Sequence, residues 1–333
     1  MPHNKLKIAI AAGDPAGIGP EIALKTALDP SVQAACNPII VCDAGLLARH
    51  ARTCGIKAEL HAVKRAADAD WSSGRVNVLD CLLPSADRIT FGANSAEAGR
   101  ASIAFCGAAI RAARAGEVDA VIGAPQNETS VALSGIPFDG HPSFVARETG
   151  TDPDDVYLML CFGGTRIAHV TLHKSVREAL AMITRERVVR AIRATDQALR
   201  KLGVTNPKIC VSGLNPHAGE DGLFGREEID IIRPAMEAAA KDGISVAGPV
   251  GADIMFQRKG YDAFLVMLHD QGHVAAKVMS PNATAAMTIG VPILFASVAH
   301  GSAHDIAGKG IANPAAMIEA VRQLSGKRIE ASG

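Results

Sequence analysis

Residues 7–28, KIAIAAGDPAGIGPEIALKTAL, join an apolar run to a helical segment through a glycine-rich turn. The spacing predicts a strand at Lys7–Ala12 and a helix at Pro20–Leu28. The glycines between them allow a tight turn, and a proline suits the first helical turn because its missing N–H costs nothing there. A strand followed at once by a helix is the unit from which α/β folds are built.

The same alternation continues to the end of the chain. Further strands are predicted at Pro38–Cys42, Ala120–Gly123, Tyr157–Phe162, Arg166–Thr171, Lys208–Ser212 and Ala263–Met267. Further helices are predicted at Ala44–Cys54, Ala96–Ala115, Glu186–Leu202, Glu227–Lys241 and Pro314–Leu324. This order predicts an α/β protein with a mostly parallel sheet covered by helices. Its ligand is expected at the carboxyl ends of the strands.

Charge and cysteine content limit the class of protein. The 34 basic residues balance 34 acidic residues without local concentration, so a nucleic-acid or membrane-surface partner has no electrostatic support. The apolar runs are far shorter than the ~20 residues that span a bilayer. Seven scattered cysteines without a C-x-x-C pair are typical of reduced thiols, and Met1–Lys7 lacks the apolar region of a secretory signal. We therefore expect a cytoplasmic protein.

The turn at Gly13–Glu21 permits two interpretations. It could hold an anion at the start of the helix, or begin a dinucleotide-binding motif with Asp43 as the acid that binds ribose. The third glycine of the G-x-G-x-x-G pattern is absent, however. A tight structural turn that lines the ligand cleft is therefore the favoured interpretation.

Three of the eleven histidines follow predicted strands: His173, His217 and His269. A single histidine is more often a hydrogen-bonded structural residue than a ligand. Three imidazoles at the carboxyl ends of separate strands would suit zinc and leave coordination positions open for substrate. The spacing alone does not decide between these two interpretations.

The glycine-rich segment 300–314 precedes the last predicted helix. It resembles the adenosine-binding loop of the isopropylmalate and isocitrate dehydrogenase superfamily. The resemblance implies that His300 packs on adenine and that Asp305 holds the ribose hydroxyls, with Ser302 and Asn313 also in the cofactor loop. An acid at Asp305 would repel a 2′-phosphate, so NAD is expected rather than NADP.

Further motifs, in the same order along nearly the whole chain, resemble one branch of that superfamily, the 4-hydroxythreonine-4-phosphate dehydrogenase family. They are Gly13–Glu21, Gly140-His141, Thr171–His173, Gly213–Glu220, Gly225–Glu228, Gly251–Asp253, His269–Gly272 and the loop at His300. The resemblance implies that His173, His217 and His269 bind one divalent metal ion, for which Zn²⁺ is expected. It also implies a homodimer whose active sites take residues from both subunits.

The resemblance implies two α/β domains of isocitrate/isopropylmalate dehydrogenase-like architecture, with the active site in the interdomain cleft. Domain 1 is expected at residues 1–125 and 296–333, and carries both termini and the adenosine-binding loop. Domain 2 is expected at residues 126–295, and carries the metal ligands and the dimer interface.

The chain departs from the family where a phosphate would be held. The family's phosphate-handling enzymes typically carry Thr at the position of Pro142, Asn and Arg at those of Ala286 and Phe295, and Lys at that of Glu128. A phosphomonoester carries close to two negative charges and needs charge-assisted donors. The absence of these donors, together with the apolar wall expected from Phe295, argues against a phosphorylated substrate.

Segments around Glu128, Pro142, Met267–His273 and Ser297–Ala303 resemble the terephthalate cis-dihydrodiol dehydrogenases instead. Those enzymes oxidise 1,2-dihydroxy-3,5-cyclohexadiene-1,4-dicarboxylate with NAD and release CO₂, giving protocatechuate. We expect this reaction. One alternative is 4-hydroxythreonine-4-phosphate dehydrogenase activity, in pyridoxal phosphate biosynthesis, or oxidation of a related phospho-hydroxy acid. The other is a non-catalytic NAD- or metal-binding module.

The resemblance also suggests residues that contact the substrate. Lys277 could pair with a carboxylate or supply a proton, and His141, Pro142 and Phe295 are expected to line the pocket. Asp253 and Asp270 are candidates for the base or for hydrogen-bond partners of the metal ligands. Each of these two acids could equally be a cap or a surface residue. His273 could line the pocket or face solvent.

Overall fold

The computed structural model describes residues 5–72, 74–281 and 284–325. They form two compact units: the first takes its residues from Met1–Gly150 and Pro292–Glu330, and the second from Thr151–Val291. The division differs from the expected one at residues 126–150 and 292–295, which belong to the first unit. The helices of the first of these segments, α5 (Glu128–Leu133) and α6 (His141–Thr149), pack on α4 (Ala96–Arg114) of that unit.

The described part of the first unit contains a parallel sheet. Its strands are β1 (Leu6–Ala11), β2 (Cys36–Cys42), β3 (Leu60–Val63), β4 (Val76–Asp80), β5 (Ala120–Gly123) and β12 (Leu294–Val298). Its other helices are α1 (Gly19–Leu28), α2 (Pro30–Ala35), α3 (Ala44–Thr53) and α11 (Ala315–Leu324). The strand order is β3-β4-β2-β1-β5-β12, and the pairs are parallel.

The strand ends of this sheet bring three loops together. Gly123, at the end of β5, pairs with Ala11 of β1 on one side and with Ser297 of β12 on the other. The glycine turn after β1, the segment after β5 and the loop at His300 therefore start side by side. Apolar residues buried on both sheet faces fix these strands, as a parallel sheet covered by helices requires.

The second unit contains a mixed sheet. Its strands are β6 (Tyr157–Phe162), β7 (Thr165–His169), β8 (Lys208–Ser212), β9 (Ser245–Val250), β10 (Ala263–Val266) and β11 (Ala285–Ile289). Its helices are α7 (Val176–Met182), α8 (Arg185–Lys201), α9 (Arg233–Lys241) and α10 (His269–Met279). The order is β11-β6-β7-β10-β8-β9, with β6 antiparallel to both of its neighbours and the other pairs parallel.

The predicted α/β class is confirmed, and two predicted elements are corrected. The helix expected from Glu227 becomes α-helical only at Arg233, and Glu228–Ile232 forms a wider π turn. Glu228 points back to accept hydrogen bonds from the N–H groups of Leu214 and Asn215. The strand expected to reach Thr171 ends at His169. Among the described helices, none combines the length and apolar character needed to cross a membrane.

Candidate active site

The glycine turn of the first unit supports the loop at 300–314. The N–H of Ile18 donates to the carbonyl of Ser302 at 2.9 Å, and a Cβ at Gly17 would collide with that same carbonyl oxygen. Asp14 and His304 form a hydrogen bond of 2.5 Å. The turn is therefore a structural support for the loop, which matches the interpretation favoured from the missing third glycine.

Asp43, the candidate ribose acid of the first interpretation, has a structural role. One carboxylate oxygen caps α3 by accepting from the N–H of Leu46 at 2.8 Å, and the other accepts from the N–H of Leu83 at 3.0 Å. Both oxygens are thus engaged by the backbone, as expected of a helix cap.

The far end of the loop is bound by a buried ion pair on α1. Glu21 accepts from Lys25 at 2.7 Å and from the N–H of Ala312 at 2.8 Å, while Lys25 also donates to the carbonyls of Gly310 and Ala312. Burial opposes ionisation of Glu21, but the hydrogen bond from Lys25 and the other donors outweigh it and lower its pKa. A charged pair therefore closes the loop onto α1.

The four predicted cofactor residues divide into two kinds. His300 and Asp305 are exposed on the loop. Ser302 is buried, and its hydroxyl accepts from the side-chain amide of Asn127 at 3.2 Å, while Asn313 caps the next segment by accepting from the N–H of Ala315. An accessible imidazole and carboxylate on a braced loop suit adenine and ribose. The loop therefore leaves these two groups available for the predicted adenosine contacts, and the four cofactor-binding roles stay predictions.

His141 begins α6 beside the end of β5. Its Nε2 is buried without a hydrogen-bond partner, and a Cβ at Gly123 would lie 2.6 Å from it. Burial lowers the pKa of His141 to about 4, so the ring is neutral near neutral pH. Pro142, half-buried, follows in the first turn of the helix.

Phe295, which was expected to line the pocket as an apolar wall, is not exposed. It is fully buried in β12, and its ring centre lies 5.5 Å from that of His141. Phe295 belongs to a strand covered by helices, which explains the burial, and its ring packs beside that of His141. Ala286 is likewise nearly buried, in the apolar core of the second unit.

In the second unit, His173 and His269 lie close together. Their ring centres are 5.6 Å apart, and two imidazoles on one tetrahedral zinc ion have ring centres roughly 5 Å apart. His269 Nδ1 donates to the carboxylate of Asp270 at 2.6 Å, which leaves Nε2 as the nitrogen with a lone pair. The imidazoles of His173 and His269 therefore fit as two ligands of one divalent metal ion.

His217 lies in the loop after β8, where His217, Ala218, Gly219, Glu220 and Asp221 all have positive φ. Such strained backbone clusters at functional sites. The ring is paired with Glu220, Nδ1 to Oε1 at 3.2 Å. Among the described residues, no three His, Cys, Asp or Glu side chains converge as metal ligands, so the three-histidine site stays a prediction.

Asp253 approaches the backbone of His217 across Gly251. A Cβ at Gly251 would lie 2.7 Å from the Asp253 carboxylate and 3.5 Å from the His217 Cα. Asp253 is itself exposed. It is therefore placed near one predicted ligand, and its role as base or orienting partner stays a prediction.

Lys277 lies exposed in the last turn of α10, about two turns beyond His269. A cleft of about 460 Å³ opens beside the two histidines at the other end of this helix. Its lining includes His173, His269 and Asp270 together with Lys174, Ser175 and Glu178. The last three were missed from the sequence, although Ser175-x-x-Glu178 is a capping-box pattern that places them at the start of α7.

Gln126 was also missed. Its side-chain oxygen is buried without a hydrogen-bond partner just after β5. The residue follows a buried strand end, the kind of position where ligand-binding side chains gather in α/β proteins. In the sequence, only the position of Gln126 after Pro125 could have indicated a ligand-binding role.

Residues 34–324 match the family of the pyridoxal phosphate biosynthetic protein PdxA. The chain belongs to this family and is an NAD-linked, decarboxylating dehydrogenase of it. It is 39% identical, over 96% of each chain, to a Clostridium botulinum protein provisionally assigned as a D-threonate 4-phosphate dehydrogenase.

Two solved structures are similar over the full chain. The 4-hydroxythreonine-4-phosphate dehydrogenase of Burkholderia phymatum is 36% identical with a TM-score of 0.88, covering 97% of this chain and 98% of that one. The terephthalate 1,2-cis-dihydrodiol dehydrogenase of Burkholderia xenovorans LB400 is 42% identical with a TM-score of 0.74 and the same coverage. The family resemblance expected from the motifs is thereby confirmed.

Proposed function

We propose that this chain is the NAD- and zinc-dependent dehydrogenase of terephthalate cis-dihydrodiol, 1,2-dihydroxy-3,5-cyclohexadiene-1,4-dicarboxylate. The observation that carries the proposal is that the apolar residues Phe295 and Ala286 stand at the positions where the resemblance implies Arg and Asn in phosphate-handling enzymes. Neither side chain can donate to a phosphate. The 42% identity to a dehydrogenase of this diol adds support.

The proposed reaction removes a hydride and a proton from the diol and then releases CO₂. One diol dicarboxylate and one NAD⁺ give one protocatechuate, one CO₂ and one NADH, because the proton that leaves the hydroxyl is taken up again by the product when CO₂ is lost. A zinc ion held by His173, His217 and His269 would supply Lewis acidity at the substrate hydroxyl, and bound NAD would accept the hydride. Loss of CO₂ is driven by formation of the aromatic ring.

The protein's own groups then have distinct tasks. Asp270 holds the Nδ1 proton of His269 and keeps Nε2 directed outward. Lys277 offers an ammonium group to a substrate carboxylate. His300 and Asp305 hold the adenosine end, and the neutral His141 offers its buried Nε2 to the substrate. Asp253 is the candidate to accept the hydroxyl proton.

We further propose a homodimer with shared active sites. In the described part of one chain, the three predicted ligands do not converge. On α10, next to His269, the apolar side chains Val274, Val278 and Met279 are each more than half exposed. A second copy that covers this face would bury apolar surface and bring its own ligands.

A cytoplasmic location is proposed as well, in keeping with seven free thiols, most of them buried.

A phosphorylated hydroxy acid is the second candidate substrate. Lys174 lines the cleft beside His173 and supplies a cation that was not among the expected site residues. The relative from Clostridium botulinum, assigned to D-threonate 4-phosphate, is 39% identical.

The test is NADH formation by the purified protein with Zn²⁺, offered the dihydrodiol, 4-phosphohydroxy-L-threonine or D-threonate 4-phosphate. We expect turnover of the diol, with kcat/KM at least about a hundredfold above either phosphate, because Ala286 and Phe295 supply no donor where the resemblance implies Asn and Arg in phosphate-handling enzymes. NADP should serve poorly in place of NAD. Preference for a phosphate would overturn the substrate assignment and leave the metal and cofactor assignments standing.

A further inference from the structure

His269 and His273 are four residues apart on α10, so both side chains lie on one helix face. Their rings are stacked, with centres 3.7 Å apart and planes inclined by only 9°. Because His269 is a predicted metal ligand, the contact raises the question of what its neighbour does.

Two histidines at this spacing on a helix often bind one metal ion together. The geometry here excludes that role. Ring nitrogens of two ligands must converge on the ion, with ring centres roughly 5 Å apart, whereas stacked parallel rings direct their lone pairs side by side. His273 Nδ1 lies 3.2 Å from the carbonyl oxygen of His269, and since a carbonyl only accepts, Nδ1 carries the proton.

A third imidazole holds His273 from the other side. His169 at the end of β7 is fully buried, and its ring centre lies 4.7 Å from that of His273. Its Nδ1 donates to the carbonyl of Leu158 at 3.3 Å. Its Nε2 occupies the space beside Gly272, where any Cβ would collide with it. The ring of His273 is thus packed between a ring anchored in the core and the predicted ligand.

We propose that His273 is a positioning residue: it holds the ring of His269 in the orientation that binds the metal ion and does not bind the ion itself. Asp270 fixes the Nδ1 edge of His269, and His273 fixes its face. Together they remove the rotational freedom that the ring would lose on binding. The inference depends on the metal site of the proposed function.

The test is the zinc affinity of the full-length protein, measured by competition with a chromophoric chelator. His273→Ala should weaken zinc binding about tenfold or more, within the range seen when a group that orients a metal ligand is removed. His273→Phe keeps a flat ring against His269 and should stay within about threefold of wild type. His61→Phe, in the first unit, controls for the loss of any histidine.

A double-mutant cycle separates positioning from a general structural effect. In a His269→Ala background, His273→Ala should cause no further loss of zinc affinity. An equal loss in that background would contradict the proposal, as would wild-type affinity in His273→Ala alone. Circular dichroism of the zinc-free variants checks that each is folded.

The Phe variant stays informative even if the Ala variant does not fold. Its cobalt-substituted form should have the visible absorption spectrum of wild type, because no ligand is lost. A changed spectrum with affinity as poor as that of a ligand variant would make His273 a ligand and overturn the proposal. Since no substrate is present, failure of the diol assay leaves this result untouched, whereas a wild-type protein that binds no zinc would overturn both metal assignments.

Discussion

The loop at 300–314 and the histidines of the second unit are held in different ways. The loop is bonded to the glycine turn at one end and to the Glu21–Lys25 pair at the other. His217 and His269 are each held by one neighbouring carboxylate and remain accessible. The conformation of the loop is thus fixed by contacts within its own unit. For each histidine, the neighbouring carboxylate fixes only the orientation of that one ring.

This difference separates two kinds of preorganisation. A loop braced at both ends presents His300 and Asp305 without any further group. The three predicted metal ligands do not converge in the described part of one chain, and in our proposal an ion and a second chain complete the site. Binding at the first region should therefore be robust, and binding at the second should depend strongly on each ligand.

Removing a metal ligand should give the largest effect. His173→Ala should lower kcat/KM by on the order of a thousandfold, because Lewis-acid stabilisation is worth several kcal/mol. The bound zinc, measured by elemental analysis, should fall in parallel. His300→Ala should show the opposite pattern, with unchanged zinc and a KM for NAD raised about tenfold. Loss of zinc without loss of turnover would contradict the separate roles given to the histidine site and to the loop at 300–314.

The next largest effect is expected from Gly17→Ala, which should disturb the loop at 300–314. The added methyl group collides with the Ser302 carbonyl, and overpacking of this kind costs roughly 1–3 kcal/mol. We expect a melting temperature lower by several degrees and weaker NAD binding, measured by thermal unfolding with and without NAD. Gly301→Ala is the matched control for stability, because a Cβ there meets nothing within 4 Å. Equal melting temperatures for the two variants would show that the turn does not brace the loop.

The smallest predicted effect is an acid sensitivity from a buried histidine of the first unit. Burial lowers the pKa of His50 to about 4, against 6.5 for the unfolded chain. Between these values the unfolded state binds a proton that the folded state does not, so the free energy of unfolding falls as pH falls. The slope is at most about 1.4 kcal/mol per pH unit.

Replacing this ring tests that slope. His50→Phe keeps the contact with Phe91, whose ring centre is 4.0 Å away, and removes the titrating group. Urea unfolding at pH 7, 6 and 5 should therefore show a shallower loss of stability for the variant than for wild type. Identical slopes would mean that His50 titrates equally in both states.

The sequence predicted correctly those elements whose burial follows from a local pattern of apolar residues. The strands Ala120–Gly123, Tyr157–Phe162 and Lys208–Ser212 have the expected bounds, because short buried runs end where glycine or polar residues begin. The π turn at Glu228–Ile232 was missed because it depends on a hydrogen bond to a loop thirteen residues earlier in the chain.

Side-chain surroundings at the site were harder to predict. A motif could nominate His269 but not its stack with His273, which depends on helix register and on His169 arriving from β7. Likewise, the family resemblance nominated Phe295 as a pocket wall, but only the packing of β12 shows that its ring is buried beside His141. Such contacts join residues far apart in sequence, and no local pattern specifies them.

The most direct test of the comparison asks whether the histidine site is shared between two chains while the loop is not. Differently tagged chains carrying His173→Ala/His269→Ala and His217→Ala would be co-expressed, and the mixed dimers isolated through both tags. Each parent dimer should be inactive. Because His173 and His269 lie together without His217, we predict that the mixed dimer regains about half of the wild-type activity, through one intact site of two. An inactive mixed dimer would contradict this division of ligands between the chains.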